Sequence, residues 1–316
     1  MRLLFELSGE HPTLPFSELA CVGEIIEQRI QVAVADCPPD ADIRRLALTH
    51  VVMEYMGSCS ATAEGLVALL DTLQVRSERP FVARVKKVGQ NRSGLSQLEL
   101  ERLIGSRIGG EVSLSRPESE YRAIISNGRI FFGRVIHRID RGAFAYRNPL
   151  RRPFFHPGVM LPIFARALVN ISLVAPGELL LDPFCGTGGM ILEAELVGAS
   201  VLGSDADPGM VRGSRQNLPD AELFCADACT LPLRDGVVDA IVTDLPYGQS
   251  VRIMGKLESL HRAALGEMRR VLKEGARAVV VSHRDIDHIA GEHFTVRELH
   301  LQRVHRSLTR RIMVLE

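Results

Sequence analysis

The sequence predicts an α/β chain: a doubly wound parallel sheet in the C-terminal half, preceded by a mixed α+β region. Three observations carry this. Leu179–Gly189 reads LLLDPFCGTGG, a short apolar run of the kind covered on both faces that enters a glycine turn and then a helix over Met190–Val197. Acidic residues recur at successive strand ends: Asp182, Asp205 after Val201–Ser204, Asp227 after Leu223–Ala226, and Asp244 after Val237–Val242. Before them, strand-like and helix-like stretches mix without a regular β-α-β repeat.

Taken in order, Arg2–Glu6 reads as a strand and Phe16–Gln28 as an amphipathic helix with Leu19, Val22, Ile25 and Ile26 on one face. Ile30–Ala35 and Leu46–Tyr55 are expected strands, Thr62–Leu73 a helix and Phe81–Val88 a strand. Gly-Gln-Asn-Arg at 89–92 breaks the pattern. Ser96–Ile108 then forms a helix, and Glu111–Leu114, Tyr121–Ile125 and Arg129–His137 form strands, with a tight turn at Ser126-Asn127-Gly128. Asp140–Pro157 is expected to be a linker with strand content, and Met160–Ile171 a helix. After Tyr247 come a helix over Gly255–Leu272, a strand over Ala278–Ser282, and a closing antiparallel hairpin of Val296–Val304 and Arg310–Leu315.

The glycine turn narrows the ligand. Gly186, Gly188 and Gly189 let backbone approach it, and the following helix presents unpaired N–H groups. A dinucleotide loop needs G-x-G-x-x-G, but Ile191 stands at the third glycine; no Gly-Lys-Ser/Thr follows for a nucleoside triphosphate. Asp205, twenty-three residues after Asp182, can accept both ribose hydroxyls of an adenosine, and Asp227 the adenine amino group. Asp207 is a second candidate, although Asp-Pro also starts a helix. Singly, each Asp also reads as a cap or turn residue. The order acidic residue, proline, two residues, Gly-Thr-Gly resembles the S-adenosylmethionine loop of class I (Rossmann-like) methyltransferases, and tight strand–helix turning is the alternative.

Asp244-Leu245-Pro246-Tyr247 resembles the [Asp/Asn/Ser]-x-Pro-aromatic signature of methyltransferases that modify exocyclic amines of bases. An aromatic amine is a poor nucleophile because its lone pair is delocalised. Acceptors on Asp244 and the Leu245 carbonyl can hold its two hydrogens, pyramidalise the nitrogen and aim the lone pair. Pro246 stiffens the loop and Tyr247 offers a stacking face. The catalytic set is therefore Asp244, Leu245, Pro246 and Tyr247. The cofactor set is Asp182, Phe184, Gly186, Thr187, Gly188, Asp205, Ala206, Asp227, Ala228 and Asp244, joined by His156 and Pro157 from the wall ahead of the first helix; for His156, capping or packing stands as the alternative.

With 316 residues the chain accommodates two cores, and 46% hydrophobic residues are ordinary for a soluble protein. Arg2 and Glu6 interrupt the start, so no signal peptide is expected, and no apolar run reaches membrane-spanning length. Six scattered cysteines, with Cys225 and Cys229 four apart and no second pair nearby, argue for reduced thiols in the cytoplasm and against a metal site. The net charge of zero hides a basic segment: Arg76–Arg152 holds 17 Lys and Arg against 7 Asp and Glu. Such clustering suggests a nucleic-acid substrate. The expected RNA contacts are Arg84, Lys86, Lys87, Arg92, Arg147, Arg306 and Arg310, the last two in a basic tip whose bland reading is a solvated turn.

The basic strand Arg84–Lys87, Ser-Gly-Leu-Ser at 93–96, Ile104-Gly105 and Val112-x-Leu114-x-x-Pro117 resemble the THUMP domain, an RNA-binding module. With Arg-Pro-Phe-Phe-His-Pro-Gly, Asp-Pro-Phe-Cys-Gly-Thr-Gly-Gly, Asp-Leu-Pro-Tyr-Gly and His-Arg-Ser-Leu-Thr-Arg following in order, the chain resembles the archaeal tRNA guanosine N2-methyltransferases acting at position 10. The resemblance implies S-adenosylmethionine as cofactor, tRNA as substrate, and mono- or dimethylation of the guanine amine. It also implies a class I methyltransferase domain at 158–316, a ferredoxin-like region at 1–75, a THUMP-like region at 76–140 and a linker at 141–157. Leu245 stands where many relatives have proline, which retains the backbone acceptor and alters packing. The resemblance raises a small zinc-binding activator subunit as a partner of an otherwise monomeric chain. Methylation of another exocyclic amine, and a non-catalytic RNA-binding protein, are the competing readings; the first lacks a need for the basic half, and intact Asp205 and Asp244 oppose the second.

Overall fold

A computed structural model describes residues 1–89, 96–247, 254–306 and 308–316, with backbone alone at 254–256. It divides into two compact units, Met1–Asp140 and Arg141–Glu316.

In the first unit, β1 (Arg2–Leu7), α1 (Leu14–Leu19), β2 (Glu24–Arg29), β3 (Val32–Asp36), β4 (Thr49–Ser60), α2 (Ala63–Leu73), β5 (Phe81–Val88), α3 (Gln97–Arg107), β6 (Ser119–Ser126) and β7 (Arg129–Arg138) follow one another. The seven strands share one sheet in the order β2-β3-β1-β4-β7-β6-β5. Strands from both sides of the 75/76 division thus hydrogen-bond together, β4 against β7. Helices α2 and α3 pack on one core with Phe81, Val85, Tyr121 and Phe132. Ser96 caps α3 through a reciprocal capping box with Glu99, as its Ser-x-x-Glu spacing requires. Asn127 and Gly128 both take positive φ, 44° and 76°, matching a two-residue hairpin turn between β6 and β7.

Two expectations fail in this unit. The helix over Phe16–Gln28 stops at Leu19, and Glu24–Arg29 is an edge strand beside β3. Its exposure alternates, so Ile25 packs inward while Ile26 is exposed. Gly23 divides the two: a Cβ there would lie 2.5 Å from the Asp36 carbonyl oxygen. Glu111–Leu114 forms only an isolated bridge, Val112 to Phe81.

In the second unit, α4 (Ala143–Tyr146) and α5 (Pro162–Ile171) lead into β8 (Leu179–Asp182), α6 (Gly189–Glu195), β9 (Ser200–Asp205), α7 (Pro208–Asn217), β10 (Glu222–Cys225) and β11 (Val238–Asp244). Then come α8 (Met254–Val271), β12 (Leu272–Ser282), α9 (Asp287–Ala290), β13 (Val296–His305) and β14 (Leu308–Leu315). The segment expected as a linker with strand content holds α4 and a 3-10 turn at Pro149–Arg151 and no strand; prolines at 149, 153 and 157 favour turns. The sheet order is β10-β9-β8-β11-β12-β14-β13, with the first five strands parallel and the β13–β14 hairpin antiparallel, as expected. The chain runs outward from β8 to β10, then returns to β11 on the other side. That reversal opens a crevice at the carboxyl ends of β8 and β11, where doubly wound sheets bind ligands. Among the described residues, no helix is long and apolar enough to cross a membrane, and no cluster of His, Cys, Asp and Glu is arranged to hold a metal ion.

Candidate active site

A cavity of about 300 Å³ opens at that reversal. Its lining comes from three segments: His156–Met160 ahead of α5, the turn after β8 through Asp182, Phe184, Gly186 and Thr187, and Asp244–Tyr247 after β11. Asn217 at the end of α7 ties the first two. Its Nδ2 donates to the Phe154 and Thr187 carbonyls at 3.0 and 2.9 Å, and its Oδ1 accepts from Phe154 N at 3.0 Å.

The glycines divide their work. Gly186 has φ +50° and open space where a Cβ would sit, its nearest neighbour 4.0 Å away, so this backbone can be approached. Gly188 also takes positive φ, but a Cβ there would lie 2.4 Å from Leu218. Packing of the turn against Leu218 thus requires glycine at 188 in its own right. Thr187 Oγ1 is buried on the cavity wall with no partner among the described residues.

Asp182 is buried; its Oδ1 accepts from Thr243 Oγ1 at 2.7 Å and from Phe184 N at 3.1 Å. Burial raises its carboxyl to about 7 despite these donors. Asp205 accepts from Gly186 N at 3.1 Å with one oxygen and from Asp207 N at 2.9 Å with the other, bracing the turn while each oxygen keeps a lone pair. Ala206 beside it is exposed. Asp207 caps α7 through Gly209 N at 2.7 Å, so the capping reading holds there. Asp227 is exposed and accepts from Cys229 N at 2.9 Å. The Ala228 methyl belongs to the apolar core, which leaves only its backbone for a ligand.

At the end of β11, Tyr247 Oη donates to Asp244 Oδ2 at 2.9 Å, while Asp244 Oδ1 is buried with no partner among the described residues. Burial raises Asp244 to about 6, opposed by Arg310 and the Tyr247 hydrogen bond. Leu245 is buried in the core and its N–H donates to Val281 O at 2.9 Å, anchoring the loop to the sheet. The Tyr247 ring lies 4.7 Å from that of His283, just past β12.

Two basic residues expected at RNA are committed inside the unit. Arg147 pairs at 2.8 Å with Glu193, whose carboxylate is fully buried and also holds Arg166 at 2.8 Å. Arg310 is only 6% exposed. Its Nε donates to Tyr247 Oη at 3.1 Å, its Nη2 to the Gly158 carbonyl at 3.2 Å, and Nη2 stands 3.8 Å from Asp244 Oδ2. Both depart from the expected solvated contact for one reason, a partner distant in sequence: it buries Arg310 and ties down a half-buried Arg147. Arg306 is exposed in the β13–β14 turn. In the first unit Arg84, 3.8 Å from Glu101, and exposed Lys86 share a face of β5, while strand alternation turns Lys87 to the other. Arg92 lies outside the described residues, as does Gly248 after Tyr247.

Sequence reasoning missed Arg310 in its site role, Asn217 and His283; Arg310 ends the His-Arg-Ser-Leu-Thr-Arg stretch, but the groups it touches lie in other segments.

The UPF0020 family model, described as RMKL-like, methyltransferase domain, matches residues 149–312. Over 100% of its length the chain is 37% identical to a tRNA (guanine(10)-N2)-dimethyltransferase of Methanothermobacter thermautotrophicus, covering 99% of that protein. A protein of the same description from Methanocaldococcus jannaschii is 30% identical over 81% of this chain and 85% of its own length. The solved structure of TrmN from Thermus thermophilus aligns with 100% of this chain and 99% of its own at TM-score 0.54 and 20% identity, a likeness of fold.

Proposed function

The chain belongs to the family of archaeal tRNA (guanine(10)-N2)-dimethyltransferases, and from that premise we propose that its second unit methylates the exocyclic N2 of guanosine 10 in tRNA, once and then again, using S-adenosylmethionine. The observation that carries the chemistry is Asp244 Oδ1, a buried acceptor without a partner among the described residues, on the wall of the cavity that the glycine turn also lines.

The turn fits the cofactor. Gly186 leaves room beside its backbone, Thr187 Oγ1 awaits a partner, and the Asp205 carboxylate keeps lone pairs for a ribose diol. When bound, S-adenosylmethionine supplies an electrophilic methyl group. The protein's share is to prepare the amine. Asp244 Oδ1 accepts one N2 hydrogen and the Leu245 carbonyl the other, which localises the nitrogen lone pair. These contacts strengthen as the nitrogen becomes tetrahedral, so they act on the transition state more than on the ground state. Asp244 then holds the proton that the methylated nitrogen sheds, a task suited to a carboxyl raised to about 6. Pro157, Phe184 and Pro246 wall the cavity and limit water.

We assign tRNA binding to the first unit, with Arg84 and Lys86 on one face of β5 as phosphate contacts. Cytoplasmic location, a monomeric catalytic chain and a zinc-binding activator subunit remain part of this reading through the resemblance. The test is to incubate the protein with tRNA transcripts and methyl-labelled cofactor and to map the nucleosides. Label is expected in N2-methylguanosine and N2,N2-dimethylguanosine, and a transcript with adenosine at position 10 should take up none. Label on adenine, or equal label on that transcript, would overturn the assignment.

A further inference from the structure

We propose that Arg310 is a positioning residue for this reaction: acting through the Tyr247 hydroxyl, it determines which Asp244 oxygen is left open to the amine and keeps that carboxylate charged. The inference rests on the reading of Asp244 as the amine acceptor.

The polarity of the contacts is forced. A guanidinium can only donate, so Arg310 Nε–H, 3.1 Å from Tyr247 Oη, makes the phenol oxygen an acceptor. The phenol proton then goes to Asp244 Oδ2 at 2.9 Å. With Oδ2 occupied, Oδ1 is the remaining acceptor. The second guanidinium arm binds the Gly158 carbonyl at 3.2 Å, so one side chain from β14 ties the wall ahead of α5 to the loop after β11.

Charge follows the same line. Arg310 Nη2 lies 3.8 Å from Asp244 Oδ2 in a site that excludes most solvent. Asp182 lies near Asp244 from β8, but burial keeps it protonated up to about pH 7, and Tyr247 donates from the loop. His283, beyond β12, packs on the Tyr247 ring, and burial together with Arg284 disfavours its protonation. Among the described residues Arg310 is therefore the cation set against burial at Asp244. Without it, Asp244 would take up a proton at higher pH and lose the acceptor the amine needs.

The test measures single-turnover methylation of tRNA from pH 5 to 9 for wild type, Arg310→Gln, Arg310→Lys and Tyr247→Phe, alongside cofactor and tRNA binding and thermal melting. Wild type should lose activity on the acid side with an apparent pKa of about 6. In Arg310→Gln that limb should move up by about one pH unit or more, as expected for losing an opposite charge within about 4–6 Å. Its rate should fall most at neutral pH and partly recover at pH 9, while cofactor and tRNA bind as in wild type. Arg310→Lys should restore most of the limb's position, and Tyr247→Phe should shift it in the same direction. An acid limb unmoved in Arg310→Gln and Tyr247→Phe, whatever the rate, would overturn the proposal. If Arg310→Gln does not fold, Tyr247→Phe decides on the same criterion, an unmoved acid limb overturning the proposal. Should Asp244→Ala itself retain activity, the underlying reading fails and not the Arg310 assignment alone.

Discussion

Asp244→Ala is expected to abolish methylation while both ligands still bind. The perturbation removes a carboxylate whose Oδ2 is held by Tyr247 and whose Oδ1 is buried and open. A charge-assisted hydrogen bond is worth about 1.5–3 kcal/mol. Removing one acceptor aimed at developing transition-state charge costs roughly 10²–10³ in rate, or about 2.7–4 kcal/mol. Because the interaction strengthens as the nitrogen pyramidalises, the loss should fall on kcat and leave KM for tRNA nearly unchanged. The vacated space also leaves the Tyr247 hydroxyl without its acceptor, which places the effect toward the upper end of that range. Asp244→Asn is the finer instrument: its amide oxygen can still accept from the amine, but the charge is gone and its NH₂ faces a phenol already receiving Arg310. Residual activity is expected from Asn and close to none from Ala. The assay is single-turnover transfer of labelled methyl to tRNA at saturating cofactor, with calorimetry for binding. An Ala variant working at near wild-type kcat would refute the acceptor role and leave Asp-Leu-Pro-Tyr as a turn.

Gly186→Ala and Gly188→Ala should separate ligand from fold. The first keeps its space but bears a positive-φ cost of about 1–2 kcal/mol and a methyl beside the cavity, so cofactor affinity falls more than stability; the second meets Leu218 and should lower the melting temperature with little left to bind. Asp182, raised from 3.8 to about 7, favours the protonated folded state, so its stabilisation is full below about pH 4 and is lost as pH rises through 7. At about 1.4 kcal/mol per tenfold change in protonation, the loss is on the order of 4 kcal/mol. Asp182→Asn should flatten denaturant-measured stability across that window, and an unchanged pH dependence would exclude Asp182 as its source. Arg147→Ala should destabilise the second unit without changing the salt slope of tRNA binding, whereas Arg84→Gln with Lys86→Gln should reduce that slope by about 0.7–0.9 for each phosphate no longer neutralised; the reverse pattern would return Arg147 to the RNA surface.

The parts of this protein legible in its sequence are those whose physics is local. A three-residue apolar run ending in Asp182 and followed by glycines can hardly be other than a buried strand entering a tight turn, because burial, strand length and positive φ are all encoded within ten residues. Asp244-Leu245-Pro246-Tyr247 was legible likewise as a strand end and loop, which the fold places on the cavity wall. Phe16–Arg29 was not: Leu19, Val22, Ile25 and Ile26 satisfy a helical period, and the alternation of Glu24–Arg29 acquires meaning only once β3 is there to pair with it. The arginines mark the limit most sharply. Arg84, Arg147 and Arg310 look alike in a sequence, each one cation in a basic neighbourhood. Tertiary structure distinguishes them, because how far a guanidinium stays in water depends on an acceptor elsewhere in the chain, Glu193 46 residues from Arg147 and Tyr247 63 residues from Arg310, and only folding brings those groups within reach.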